Sequence, residues 1–215
     1  MRALQEELLQ GLDALQLSLS DAQVSQLLDY LELLQKWNRV YNLTAVRHPQ
    51  EMLTHHLLDS LAAVPPLQRH VQQQGSKTLL DVGSGGGLPG VVFAICVPEL
   101  QVSCVDTVGK KAAFIQQAAA GLRLANLRGI HARVEQLTDV YDVVSSRAFA
   151  TLKDFTDWSQ QALASEGVWL AMKGKEPVDE MAELSSSVEV FHVEQLEVPM
   201  LDAQRCIVWM RKVVA

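Results

Sequence analysis

A chain of 215 residues with 48% hydrophobic and 20% charged side chains has the length for one domain plus an extension, and enough apolar content for a sizeable core. The opening stretch MRALQEELLQGLDALQ carries acids where a secretion signal needs an apolar run, and no apolar stretch approaches the roughly 20 residues that span a bilayer, so the chain reads as cytoplasmic and without membrane attachment. The net charge of −7 argues against a general nucleic-acid binder, but its distribution is uneven: residues 34–153 hold twelve basic and eight acidic side chains, between acidic segments 1–33 and 154–199. Cys96, Cys104 and Cys206 are odd in number and widely spaced; they read as reduced core residues, and no metal site is expected.

Residues 2–16 read as an amphipathic helix through Leu4, Leu8, Leu12 and Leu15. A second helix starts at Ser20, with Gln23 completing a capping box, and carries Val24, Leu27, Leu28, Leu31 and Leu34 to Trp37, ending near Asn38 and Asn42. Trp37 and Tyr41 are four apart on it, a spacing that favours core packing over base stacking. After an irregular link at 43–49, a third helix runs from Gln50 to about Ala63 and is stopped by Pro65-Pro66. His55, His56 and Asp59 lie on this helix; a local His56–Asp59 hydrogen bond that docks it beside the site is favoured over metal binding. Residues 68–76, QRHVQQQGS, read as a polar linker. The expected division is a helical extension at 1–75 and a main domain at 76–215.

From Lys77 the pattern alternates. Strands are expected at 78–82, 101–106, 127–131, 141–146, 167–172, 187–196 and 205–212, and helices at 88–96, 109–122, 151–163 and 176–184. This order predicts an α/β fold with a seven-stranded, mostly parallel sheet. The last two strands lack a helix between them, so the closing strand is expected to be antiparallel. No exposed apolar stripe demands a partner, and a monomer is expected.

The densest chemistry lies in KTLLDVGSGGGLPG, residues 77–90, where five glycines follow a strand within eight residues. Such a loop lets backbone approach a ligand closely. A dinucleotide fingerprint counted from Gly83 would need glycine where Leu88 stands; counted from Gly85 it matches formally at 85, 87 and 90, but in a shifted register with Pro89 inside, which disfavours the alternative of a dinucleotide-dependent oxidoreductase. D-V-G-x-G-x-G fits from Asp81 through Gly83 and Gly85 to Gly87, and resembles the motif of class I S-adenosylmethionine (SAM) methyltransferases. That cofactor carries an amino-acid end and a sulfonium instead of a pyrophosphate, so an acid at Asp81 beside the loop is useful. Asp106 ends the second strand 19 residues after Gly87, where a carboxylate accepts hydrogen bonds from ribose hydroxyls; a helix cap is the alternative. Spacing alone makes ARVEQL, after the third strand, a plain polar loop; the resemblance to this class implies that it meets adenine, with the amides of Val134 and Glu135 reading its edge. Arg147 in SSRAFATL, after the fourth strand, is suited to grip a phosphate or a cofactor carboxylate, with a surface salt bridge as the alternative.

WNRVYNLTAVR (37–47), HHLLDSL (55–61), LLDVGSGGGLPG (79–90), VDTVGKKAAF (105–114), SSRAFA (145–150) and MKG (172–174) together resemble the GidB (RsmG) family, bacterial 16S ribosomal RNA guanine-N7 methyltransferases. The likeness runs over nearly the whole chain and is weakest at 1–20 and 175–200. Gly86 stands where the family often has proline, which loosens the loop. The resemblance implies methyl transfer from SAM to N7 of guanine 527 of 16S rRNA, in the assembled small subunit. It also implies cofactor contacts at Gly83, Leu88, Val134, Glu135 and Arg147, with Arg147 positioning acceptor or cofactor. Guanine N7 has a lone pair and no proton to lose, so no general base is expected. Neither an NPPY-like motif nor a Pro-Cys nucleophile is present. Arg39, Arg47, Lys110, Lys111, Arg123, Arg147 and Lys173 are the candidates for RNA phosphate contacts. The alternatives are a SAM methyltransferase acting on another RNA site, a small molecule or a protein, and a SAM-binding module without activity.

Overall fold

Seven strands form one sheet in the order β3-β2-β1-β4-β5-β7-β6 in the computed structural model, which describes residues 2–213. Met1, Val214 and Ala215, the outer ends of the two expected ranges, lie outside the described residues. The strands are β1 (Thr78–Val82), β2 (Gln101–Asp106), β3 (Leu127–His131), β4 (Tyr141–Arg147), β5 (Leu163–Lys173), β6 (Val188–Leu196) and β7 (Arg205–Lys212). β1 pairs in parallel with β2 and β4, and β7 runs antiparallel to both β5 and β6, so only the closing strand is reversed. β1 is almost wholly buried, as a strand covered on both faces must be. Alternate residues serve opposite faces. Leu79, Val143 and Leu170 join one core, while Leu80, Val144 and Trp169 join the other.

The second core is closed by α8 (Leu152–Ser159) through Leu152 and Phe155, with α9 (Val178–Ala182) at its edge. The first core is larger because the N-terminal helices contribute to it. α1 (Arg2–Ala14), α2 (Asp21–Tyr41), α3 (Pro49–Met52), the π-turned segment Leu53–Leu58, α4 (Asp59–Leu61) and α5 (Val64–Gln74) place Leu8, Leu27, Leu34, Leu57 and Leu67 in one cluster with Phe93 of α6 (Gly90–Cys96) and Phe114 of α7 (Gly109–Gly121). Ser20 caps α2 with the reciprocal Gln23 box, and Asn42 ends it in the left-handed conformation.

Two expectations fail in the extension. Pro65 and Pro66 do not merely stop a helix; they open α5, where the first turn has no use for the N–H that proline lacks. The polar stretch at 68–76 is therefore helical to Gln74, not a linker. Leu67 and Val71 bury its inner face, and Gly75 ends it at φ 69°. In the main domain, α8 stops at Ser159 instead of 163 because β5 already begins at Leu163.

Candidate active site

The chain leaves β1 toward β2 and β3 on one side and crosses to β4 and β5 on the other, so the carboxyl ends of β1 and β4 flank a topological switch point. The glycine loop begins there. Gly83 and Ser84 donate their N–H groups to Val105 O on β2, at 2.9 and 3.3 Å, and Gly87 and Leu88 donate to Ser84 O. Gly83 sits at φ 65°, and a Cβ there would fall within the ring of Phe149. Gly85 sits at φ 57° with only Gly83 O, 4.0 Å away, near the place of a Cβ. Its missing side chain therefore leaves an open cradle.

Asp81 does not face that cradle, contrary to expectation. It is fully buried; one carboxylate oxygen accepts Gly90 N–H at 2.9 Å and the other accepts the Ser145 hydroxyl at 3.1 Å. Burial pushes its pKa up to about 7, against the opposing pull of those two hydrogen bonds. Asp81 thus ties the start of α6 to β1 and β4, and a direct cofactor contact is withdrawn. Gly87 is also set back from the cleft, packed toward Val91 and the Tyr30 hydroxyl.

Asp106 is positioned as expected at the tip of β2. Its oxygens accept Gly85 N–H at 3.0 Å and Val108 N–H at 2.8 Å, and Lys111 Nζ lies 3.6 Å away. It makes no cap on α7, whose N-cap is Val108. A cavity of about 460 Å³ opens over it, lined by Gly83, Asp106, Lys111, Val134, Glu135, Phe149 and Trp158 among others. A second, of about 540 Å³, is lined by Leu43, Thr44, Asp59, Gly83, Ser84, Gly85, Leu88, Arg147, Lys173 and Arg205 among others. The two share Gly83 and Ala148. Ser84 Oγ is buried in this wall without a hydrogen-bond partner. The polar atom beside it is the Cys104 sulfur, at most a weak acceptor for the hydroxyl.

The second cavity is framed by a charged cluster joining the extension to the sheet. Asp59 accepts Arg147 NH1 at 2.8 Å and Arg205 Nε at 2.6 Å, and Arg147 NH1 also reaches His55 O at 3.1 Å. The expected His56–Asp59 bond is absent because Asp59 is occupied by these two guanidinium groups. His56 Nε2 instead lies 2.6 Å from Thr44 Oγ1. Burial, then the nearby Arg147 charge, lowers the His56 pKa to about 4, so the imidazole is neutral. Arg147 lines this cavity, and its guanidinium is held by the extension in a salt bridge, the alternative reading of this residue.

The RNA candidates separate into two groups. Arg39, Arg47 and Lys110 are exposed and have no ion-pair partner among the described residues. Lys111 is drawn to Asp106, and Lys173 Nζ is held by Ala150 O at 2.9 Å and Glu180 at 2.8 Å. Arg123 follows the far end of α7, about 20 Å along that helix from the cleft. These three are withdrawn as phosphate contacts, since their charges are paired or misplaced.

Tyr30, Phe149, Trp158 and Arg205 were not legible as site residues. Tyr30 is buried in the stripe of α2, and its hydroxyl donates to Gly86 O at 2.6 Å. That bond pins the loop at Gly86. A polar-tipped aromatic in a leucine stripe was the available signal.

A doubly wound sheet with a reversed closing strand, a glycine loop after β1 and a carboxylate ending β2 defines the class I SAM-dependent methyltransferases. The open cradle at Gly85 and the unpartnered Ser84 hydroxyl fit the polar amino-acid end of SAM, the cofactor of this class. The likeness to solved structures agrees: NodS, an N-methyltransferase from Bradyrhizobium japonicum WM9 in complex with S-adenosylhomocysteine, matches with a TM-score of 0.60 at 11% identity, over 84% of this chain and 100% of that one. A family model described as rRNA small subunit methyltransferase G (GidB) matches residues 23–208. The chain is 71% identical over 211 residues to the Ribosomal RNA small subunit methyltransferase G of Acidovorax sp. (strain JS42), covering 95% of this chain and 93% of that one. It is 67% identical to the protein of the same name from Polaromonas sp. (strain JS666 / ATCC BAA-500), covering 98% and 95%. The chain belongs to the GidB family of small-subunit rRNA methyltransferases.

Proposed function

We propose that this protein methylates N7 of guanine 527 of 16S rRNA, using SAM, on the assembled small ribosomal subunit and as a monomer in the cytoplasm. The observation that carries the reading is the pair of cavities that meet at Gly83 and Ala148. The first, with Asp106 and the amides of Val134 and Glu135, suits ribose and adenine. The second, with the Gly85 cradle, the free Ser84 hydroxyl, Leu88 and Arg147, suits the amino-acid end and the acceptor base.

When bound, SAM supplies an electrophilic methyl group on a sulfonium. The protein's part is to hold the acceptor in line with that methyl at the junction of the cavities. Most titratable groups around the second cavity are engaged within the protein, while the exposed His55 keeps its Nε2 free among the described residues. Asp59 holds two arginines, His56 faces Thr44, Lys173 is tied to Ala150 and Glu180, and His55 Nδ1 lies 3.2 Å from Glu51 O. Such a site suits an acceptor that brings its own lone pair and releases no proton, as guanine N7 does. Arg147, fixed by Asp59 and His55 O, is preorganised to orient a base or a carboxylate instead of taking a proton.

The test is methyl incorporation from labelled SAM into small subunits purified from cells lacking the protein. Incorporation is expected with guanine at position 527 and not when that base is adenine. Equal incorporation into both would refute the site assignment.

A further inference from the structure

A row of aromatic rings runs from the core of the main domain to the surface at the end of α2, just before the chain enters the wall of the second cavity. Phe114 on α7 is fully buried, Trp37 lies 5.5 Å from it between ring centroids, and Tyr41 lies 5.1 Å from Trp37. The row ends at the last residue of α2, where Tyr41 is 39% exposed and its neighbour Val40 is 69% exposed. Packing accounts for Trp37, which is enclosed between the two outer rings. It does not account for apolar surface left open at the end of the helix. Asn42 then turns the chain, and Leu43 and Thr44 become part of the cavity wall. Tyr41 therefore precedes the first of these wall residues by two positions in the chain.

The charge around this ring is one-sided. Residues 33–50 contain Lys36, Arg39 and Arg47 and no acid, in a chain of net charge −7. All three lie at the surface, and none has an ion-pair partner among the described residues. Of the cations lining the cavities, Lys111, Arg147, Lys173 and Arg205 are paired, and Arg133 is exposed with no ion-pair partner among the described residues. An exposed ring on a segment that carries only cations and leads into a cleft wall matches single-stranded RNA, whose bases stack on aromatic side chains while its phosphates take the cations.

We propose that Tyr41 is the platform on which an unpaired base flanking the acceptor guanine stacks, with Arg39 and Arg47 on the adjoining phosphates. The inference rests on the RNA reading of the active site. Trp37 and Phe114 hold the platform rigid from behind, so little side-chain freedom is lost when a base arrives. Because every base has a ring face, the platform grips the strand without choosing its sequence. The choice of guanine stays with the second cavity.

The experiment compares Tyr41→Ala, Tyr41→Phe and Tyr41→Trp with the unaltered protein on small subunits from cells lacking it. Stacking by one base is worth about 1–3 kcal/mol, so Tyr41→Ala should raise KM for the subunit about 5- to 150-fold. Its kcat and calorimetric SAM affinity should be unchanged. Tyr41→Phe and Tyr41→Trp, which keep a ring, should retain the KM of the unaltered protein. A photoreactive p-benzoylphenylalanine at position 41 should cross-link to RNA within a few nucleotides of the methylated base. An unchanged KM in Tyr41→Ala, equal loss in the Phe and Ala variants, or a cross-link to a ribosomal protein would each overturn the proposal. Failure of the unaltered protein to methylate these subunits would refute the function itself, and the cross-link would still decide the role of Tyr41.

Discussion

Replacing Asp59 by asparagine should loosen the joint between the helical extension and the sheet. Asp59, on α4, is the shared partner of Arg147 on β4 and Arg205 on β7. Its side chain is 5% exposed, against 16% and 25% for the two arginines. The Asp59→Asn amide would keep one acceptor oxygen but leave two guanidinium charges facing each other with no counter-charge. Breaking a buried pair costs about 3–5 kcal/mol; the partial water access of both arginines places this one near the lower end, about 3 kcal/mol. With a urea m-value of about 2 kcal/mol/M, the midpoint should fall by about 1.5 M with m unchanged. Arg147 would also lose the contact that fixes it over the second cavity, so kcat/KM for methyl transfer should drop along with stability. A midpoint shift below about 0.5 M would refute the claim that this carboxylate docks the extension. A full shift with unaltered kcat/KM would refute the claim that docking orients Arg147.

Gly83→Ala should reduce SAM affinity more than about tenfold by calorimetry, because φ 65° disfavours a side chain and the new Cβ would displace Phe149 into the first cavity; equal affinity would show that the ring is free to move away. Tyr30→Phe removes the hydroxyl that pins Gly86 O and should weaken SAM binding about three- to tenfold, the equivalent of about 1 kcal/mol; unchanged affinity would mean that the loop holds its own shape. His56 has a folded pKa of about 4, below its unfolded value of 6.5, so stability is fully present above pH 6.5 and is lost as pH falls toward 4. That loss amounts to on the order of 3 kcal/mol. His56→Gln should flatten this part of the urea-midpoint profile, and an unaltered profile would contradict the buried neutral imidazole.

The strands were legible because buried parallel strands make short apolar runs between turn signals, and each falls within a few residues of its expected place. Local chemistry also read true: Ser20 and Gln23 cap α2, and Asn42 ends it. What failed depended on partners distant in sequence. The stretch from Gln68 to Gln74 is polar enough to pass for a linker, and only burial of Leu67 and Val71 under the first core makes it a helix. Asp81 reads as a cofactor acid from its place in the motif, but Gly90 and Ser145 close around it. Asp59 meets Arg147 and Arg205 across 88 and 146 residues, and no local pattern encodes that meeting. The phosphate candidates were chosen by charge alone, and ion pairing separates Arg39 and Arg47 from Lys111 and Lys173.

N7 of one guanine of small-subunit RNA is the proposed destination of the methyl group. The most direct measurement maps N7-methylguanosine across 16S rRNA from cells with the gene, without it, and with the gene restored. Loss of methylation at position 527 alone, and its return on restoration, is the expected result. Methylation at 527 that persists without the protein, or loss at a different site, would contradict it.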